Sequence, residues 1–198
     1  MRILLIGGTG TVGKAAAGGL KKHDIIMAGR NSAGVSVDVT DQVSILAMFA
    51  KTGKVDAIVT TTGHTHFGPL SDMTVEQFRD GLNDKLMGQI MVALIGQHHV
   101  CDGGSITLTS GVTNRDVIRC GANTAAVNGA LDSFVRSAAI EMPRGIRINV
   151  VSPGLLEESA KKYGDIFPGH QAVSSARVGL AYAKSVEGAL TGQVIIVE

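Results

Sequence analysis

The stretch from Met1 to Gly13 carries the clearest chemistry in this chain. Gly8, Gly10 and Gly13 fit G-x-G-x-x-G directly after the apolar run Ile3–Ile6, and Lys14-Ala15-Ala16-Ala17 continues with strong helix formers. A strand, a glycine turn and a helix aim a helix N-terminus, with its free N–H groups, at a phosphate. One glycine permits the turn, one lets backbone approach a pyrophosphate, and one lets the helix pack on the strand. Gly7-Gly8-Thr9-Gly10-Thr11-Val12-Gly13 is therefore expected to cradle the phosphates of a nucleotide. Gly8 to Lys14 also spells G-x-x-x-x-G-K. A nucleoside triphosphatase is disfavoured, because Ala15 stands where Ser or Thr would hold magnesium and Val55–Thr60 ends without an aspartate.

The next segment speaks to which dinucleotide. Such folds often carry an acidic residue about 20 positions past the glycines, bonded to the ribose 2′-hydroxyl. Here the run is Ala28-Gly29-Arg30-Asn31-Ser32, and no carboxylate lies between Ile25 and Val37. An acid would repel a 2′-phosphate, whereas Arg30 can pair with one, helped by Asn31 and Ser32. The sequence predicts NADP(H) rather than NAD(H).

These residues need elements to hold them. Ile3–Ile6, Asp24–Ala28, Val35–Val39, Val55–Thr60, Ser105–Thr109, Ile146–Val151 and Gln193–Val197 read as strands. Helices are expected over Val12–Lys22, after Thr40-Asp41, from the Thr74 cap towards Gln97, over Arg119–Glu141, over Leu155–Tyr163 and over Val173–Gly188. Thr74 with Gln77 has the spacing of a capping box, and the long helix beyond it is expected to bend near Gly81 or Gly88. Strands alternating with helices imply one α/β domain over 1–198: a doubly wound Rossmann fold with a mostly parallel, seven-stranded sheet and helices on both faces. Ligands in that architecture bind beyond the carboxyl ends of the strands. Gly7–Gly13, Ala28–Ser32, Asp38–Val39, Thr61–Gly63, Ser110 and Pro153–Gly154 all fall at such ends.

Composition narrows the partners. The chain has 198 residues, 44% hydrophobic and 18% charged, as expected of one globular domain. A formal net charge of +1 with no basic face gives nucleic acid no footprint. Cys101 and Cys120 have no metal-ligand spacing, and no metal site is expected. No signal peptide or membrane-length apolar run is evident, so a cytoplasmic location with no membrane partner is expected.

The chain resembles the short-chain dehydrogenase/reductase family over essentially its whole length. Gly7, Gly10 and Gly13 resemble the family's cofactor loop. Asp38-Val39-Thr40-Asp41 resembles its adenine-binding segment, and Thr60-Thr61-Thr62-Gly63 sits where the family has Asn-Asn-Ala-Gly. Asn128–Glu141 and Arg147–Gly154 are similar to its dimer helix and the strand that follows. The resemblance implies an NADP(H)-dependent oxidoreductase acting on a small carbonyl or alcohol, assembled as a homodimer or homotetramer. The chemistry departs from the pattern. The family uses a Tyr proton donor, a Lys four residues later, a Ser and an Asn. The matching positions here are Cys120 for the Tyr, Thr124 for the Lys, Ser110 or Gly111 for the Ser, and Lys85 for the Asn. Cys120 and Thr124 are expected on one helix face, one turn apart.

Several residues can stand in for the missing pair. Lys85 lies in an apolar helix, where desolvation would lower its pKa and suit it to acid work or to clamping the ribose. It would otherwise be a surface lysine or form a structural ion pair with Asp84 or Asp116. His64 and His66 follow the fourth strand and can donate protons near neutral pH. Cys120 is a poor acid for an alkoxide, has no obvious activating base, and reads rather as a small buried apolar side chain. Tyr163 and Tyr182 fall outside the motif. The alternative to an enzyme is an NADP(H)-binding sensor or partner protein without turnover. Leu155–Gln171, expected to shape the substrate pocket, carries no recognisable motif.

Overall fold

The protein is described by a computed structural model covering residues 1–32 and 34–198. Strands and helices alternate: β1 (Arg2–Ile6), α1 (Thr11–Gly19), β2 (Asp24–Gly29), β3 (Val35–Ser36), α2 (Gln42–Thr52), β4 (Val55–Thr60), α3 (Val75–Gly81), α4 (Gly88–Gly96), β5 (Val100–Thr109), α5 (Ala122–Glu141), β6 (Arg147–Pro153), α6 (Glu157–Tyr163), α7 (Ser175–Glu187) and β7 (Val194–Val197). A π-helical turn, Leu82–Met87, joins α3 to α4, and a 3₁₀ turn, Val112–Asn114, precedes α5.

The strands form one seven-stranded sheet in the order β3-β2-β1-β4-β5-β6-β7, with every pairing parallel. Alternation along β1 sorts the core into two layers. Leu4 and Ile6 pack with Phe49, Val92 and Val127 from α2, α4 and α5. Ile3 and Leu5 pack with Ala16, Val178 and Tyr182 from α1 and α7. The strand order reverses between β1 and β4, so the crevice at a doubly wound sheet's switch point opens beyond their carboxyl ends.

Side-chain caps fix several helix starts. Asp41 accepts from the N–H groups of Val43 and Ser44 at 2.9 and 3.3 Å. Thr74 and Gln77 close the capping box in both directions, at 3.2 and 2.9 Å. Each such cap is worth about 1 kcal/mol.

Several boundaries depart from sequence expectation, whereas the bend expected near Gly81 or Gly88 is present. The third strand stops at Ser36, because the Asp38 N–H donates to Ser44 Oγ at 2.9 Å and turns the chain into α2. The bend between Gly81 and Gly88 is the π turn itself. Helix α5 starts at Ala122 rather than Arg119, because Cys120 has φ +61° and lies in a turn outside the helix.

Candidate functional site at the carboxyl edge of the sheet

A cavity of about 410 Å³ lies over the ends of β1, β4, β5 and β6. Its lining includes Gly10, Thr11 and Val12, then Thr61, Gly63 and His64, and also Ser110, Gly111 and Pro153–Leu156. A groove of about 300 Å³ shares Gly10, Thr61, Gly63 and His64 with it and runs on past Gly7, Thr9, Thr62 and Val39 to Arg30. Together they make one crevice across the switch point.

The glycine loop is shaped for an anionic group. Gly7 takes φ +86°, a conformation that L side chains resist. A Cβ on Gly13 would collide with the Gly7 carbonyl oxygen and lie 2.7 Å from Gly8 Cα, so helix and loop touch backbone to backbone. A Cβ on Gly10 would meet only the Gly7 carbonyl oxygen, at 3.5 Å, and would otherwise stand in the crevice. Gly10 caps α1 without a side-chain bond, leaving the first N–H groups of the helix to a ligand. These features fit a pyrophosphate.

At the far end, Arg30 reaches Asp38 Oδ1 at 3.2 Å, with both side chains largely in water. The backbone N–H and hydroxyl of Thr40 hold the Asp38 carboxyl below the usual carboxylate range, with Arg30 adding to their effect. Asp38 thus keeps its charge at neutral pH. The Ser32 hydroxyl turns inward, donating to the Met27 carbonyl at 3.1 Å and accepting from Gly34 N–H at 3.2 Å. It is committed to the loop.

Lys85 lies on the π turn, half-buried, and its side chain lines the cavity. Its Nζ donates to the Ser110 carbonyl at 3.0 Å and to Asn128 Oδ1 at 2.8 Å. Asn128 Nδ2 donates onward to Thr113 Oγ1 at 2.9 Å, and Thr113 Oγ1 lies 3.4 Å from Thr124 Oγ1. Desolvation pushes the Lys85 pKa down to about 8, and the buried carboxylate of Asp132 pulls in the opposite direction. Two N–H groups of the ammonium are engaged, so a third remains for a ligand. Gln89, one turn on and fully buried, fixes the frame. Its amide donates to the carbonyls of Thr62 and Thr109 at 3.2 and 2.9 Å and accepts from Thr109 N–H at 2.8 Å.

A family model described as enoyl-(acyl carrier protein) reductase matches residues 15–188. The chain belongs to the short-chain dehydrogenase/reductase family. It is 32% identical to the short chain dehydrogenase claC of Passalora fulva over 133 residues, which are 64% of this chain and 50% of that protein. The chain spans about half the length of the curated relatives it matches. It is similar over its full length to the crystal structure of lin1944 from Listeria innocua, with a TM-score of 0.98, 48% identity and 100% of both chains covered. A small-chain dehydrogenase solved in complex with NADPH has a TM-score of 0.88 and 28% identity, covering 100% of this chain and 96% of that one.

Short-chain dehydrogenases/reductases work with nicotinamide cofactors, and the crevice lies where this fold binds dinucleotides. Of the four side chains offered from the sequence for this family's chemistry, Lys85, Ser110 and Thr124 line one cavity. Ser110 offers its carbonyl to Lys85, while its hydroxyl is buried without a partner among the described residues. Cys120 needs correction. Outside the helix at φ +61°, it borders a separate hollow with Gly68, Leu70 and Val117. It is not one helical turn from Thr124 on a shared face. Of the loop histidines, His64 borders the cavity, whereas the His66 ring lies against Gly68. The ion pair offered for Lys85 with Asp84 or Asp116 is not formed. Asp84 accepts from His64 N–H, and Asp116 pairs with His170.

Asn128 and Tyr163 also line the cavity. Asn128 lies one helical turn beyond Thr124, a spacing that places them on one face and offered a clue. Tyr163 lines the cavity from α6, in a region without a motif. Tyr182 is fully buried, bonded to Thr109 Oγ1 at 2.6 Å, and burial pushes its pKa upward. It belongs to the core.

Proposed function

We propose that this protein is an NADP(H)-dependent oxidoreductase of short-chain type that interconverts a small carbonyl and its alcohol, with Lys85 as proton donor. The observation carrying this reading is the Lys85 ammonium, softened to about pKa 8, in the same cavity as the glycine loop and Pro153–Gly154. The cofactor-binding residues in this reading run from Gly7 to Gly13 at the pyrophosphate. Arg30, with Asn31 beside it, faces the 2′-phosphate and Asp38 the adenine amine. Val39 and Thr61–Gly63 follow the crevice, and Pro153–Gly154 border the nicotinamide end.

When bound, the nicotinamide supplies the hydride. Reduction of a carbonyl would leave negative charge on its oxygen, which needs a proton. The Lys85 ammonium then gives that oxygen its proton and becomes a neutral amine. The Ser110 carbonyl and Asn128 hold Nζ in place, and Thr113 and Thr124 hold Asn128. A donor with pKa near the working pH can give a proton and recover one. NADPH oxidation followed at 340 nm against a panel of small aldehydes and ketones tests the assignment. Turnover that persists undiminished in Lys85→Met would remove Lys85 from its role.

One observation favours a second reading, an NADP(H)-binding sensor or partner without turnover. The positions matching the family's Tyr and Lys hold Cys120 and Thr124, and Cys120 borders a different hollow. Tight NADPH binding with no oxidation across the panel would select it.

A further inference from the structure

The chain contains five Phe and two Tyr and no Trp. Two of those Phe and one of those Tyr, namely Phe67, Phe167 and Tyr163, line the one cavity that also holds Lys85. They come from three separate segments: the loop after β4, the turn after α6, and α6 itself. Phe67 and Tyr163 meet with ring centroids 6.1 Å apart and planes tilted by 30°. Phe167 packs with Val112 and Leu155, and Tyr163 packs against that cluster. The result is an aromatic wall of Phe67 and Tyr163, backed by the Phe167 cluster.

The wall has unused apolar surface. Phe67 is 38% exposed although it faces a cavity, so a ring placed against it would bury area that now contacts water. Lys162 Nζ stands 4.8 Å from the Tyr163 ring centroid and occupies one face of that ring. Phe67 is thus the freer stacking partner. Lys85 is the one Lys or Arg among the described lining residues, and none of them carries a carboxylate. Such a site repels no neutral or anionic ligand, and the like charge of the Lys85 ammonium opposes a cationic one. At about 410 Å³, shared with the nicotinamide end, the space is near the lower limit of ligand pockets, roughly 300 Å³. That suits a single ring better than a fused polycycle.

We infer that the substrate is a neutral or anionic alcohol or carbonyl compound bearing one aromatic ring, and that Phe67 and Tyr163 determine this specificity. The inference rests on the function proposed above for the site as a whole. Aromatic pairs gain about 0.5–1.5 kcal/mol beyond area burial through offset or edge-to-face geometry. Matched saturated and aromatic ligands therefore isolate the wall's contribution.

Benzyl alcohol and cyclohexylmethanol are the probes. Their binding to the full chain, with and without saturating NADP+, is measured by ligand-observed NMR titration, and oxidation of each is followed at 340 nm. Benzyl alcohol should bind at least fivefold tighter, and the ratio should fall to about one in Phe67→Leu and in Tyr163→Leu, which keep an apolar side chain. Phe67→Tyr should retain most of it. A fivefold preference without turnover would uphold the aromatic site while removing the oxidoreductase reading. Turnover of both alcohols with equal affinity would overturn the aromatic inference and leave that reading intact. A preference unchanged in both Leu variants would also overturn it.

Discussion

A Cβ added to Gly63 would lie 2.5 Å from both Cβ and Cγ of Lys85. The loop after β4 and the π turn therefore meet at a point where only glycine fits, and that contact positions the Lys85 stem. Gly63 also takes φ +123°. Gly63→Ala must strain the backbone, move Lys85, or do both. We expect it to lose about 2 kcal/mol in urea unfolding and to lower NADPH oxidation at least tenfold. Gly103→Ala is the control, since Gly103 has φ +73° with nothing within 4 Å of its added Cβ. It should show strain without loss of activity. Equal activity losses in both variants would detach Gly63 from the site.

The glycine loop separates binding from folding. Gly10→Val places its side chain in the crevice and meets little protein, so it should fold normally and bind NADPH at least a hundredfold more weakly. Gly13→Ala drives a methyl into the Gly7 backbone and should unfold at lower denaturant. Circular dichroism and calorimetric titration read the two effects. Undiminished NADPH binding by Gly10→Val would refute the loop's assignment.

Arg30 should set the choice of dinucleotide. Its guanidinium is already oriented by Asp38 at 3.2 Å, so less side-chain freedom is lost on meeting a 2′-phosphate. NADPH should bind at least tenfold tighter than NADH, a difference of about 1.4 kcal/mol. Arg30→Asp should erase or reverse it. Equal affinities for the two cofactors in the unmutated protein would count against this role.

Much of this architecture is legible in the sequence, because burial imposes periodicity. Ile3–Ile6 reads as a strand buried on both faces, and its residues do divide between the two core layers. The caps at Asp41 and Thr74 are local, and so are visible in a few residues. The chemistry is less legible. Glycines at 81 and 88 signal a break, but nothing marks the π turn that brings Lys85 to Asn128, forty-three positions on. The positive φ of Cys120 belongs to a residue type that seldom adopts it, so the expected helix face there dissolves. Tyr163 reaches the cavity through loop geometry that no periodicity encodes.

Assembly is testable on α4 and α5. Ala138 lines a groove with Ala93, Leu94, Phe134, Met142 and Ile148, bordered by Gln97, Ser137 and Glu141, and Leu94 is 50% exposed. Short side chains there let a second copy's helices approach closely, as the family's two-fold contact requires. The unmutated protein should sediment as a dimer or tetramer at micromolar concentration, and Ala138→Arg as a monomer or an insoluble chain. A monomeric parent would remove the interface.

Lys85 gives two pH signatures of opposite kind. As a donor it must be protonated, so carbonyl reduction should hold below about pH 8 and fall tenfold per unit above it. Its effect on stability runs the other way. The pKa drops from 10.5 in the unfolded chain to about 8 in the folded one, so between those values the unfolded state binds more protons. Burial of the charge therefore costs most below pH 8, by about 3 kcal/mol at 1.36 kcal/mol per pKa unit. That cost is relieved as pH rises from 8 to 10.5. Urea unfolding of the parent against Lys85→Met should show the parent gaining stability relative to the variant across that window. The two should run parallel between pH 6 and about 7. Parallel curves through pH 10 would mean that burial leaves the Lys85 pKa unshifted, and an activity limb at pH 8 surviving in Lys85→Met would pass the proton to another group lining the cavity.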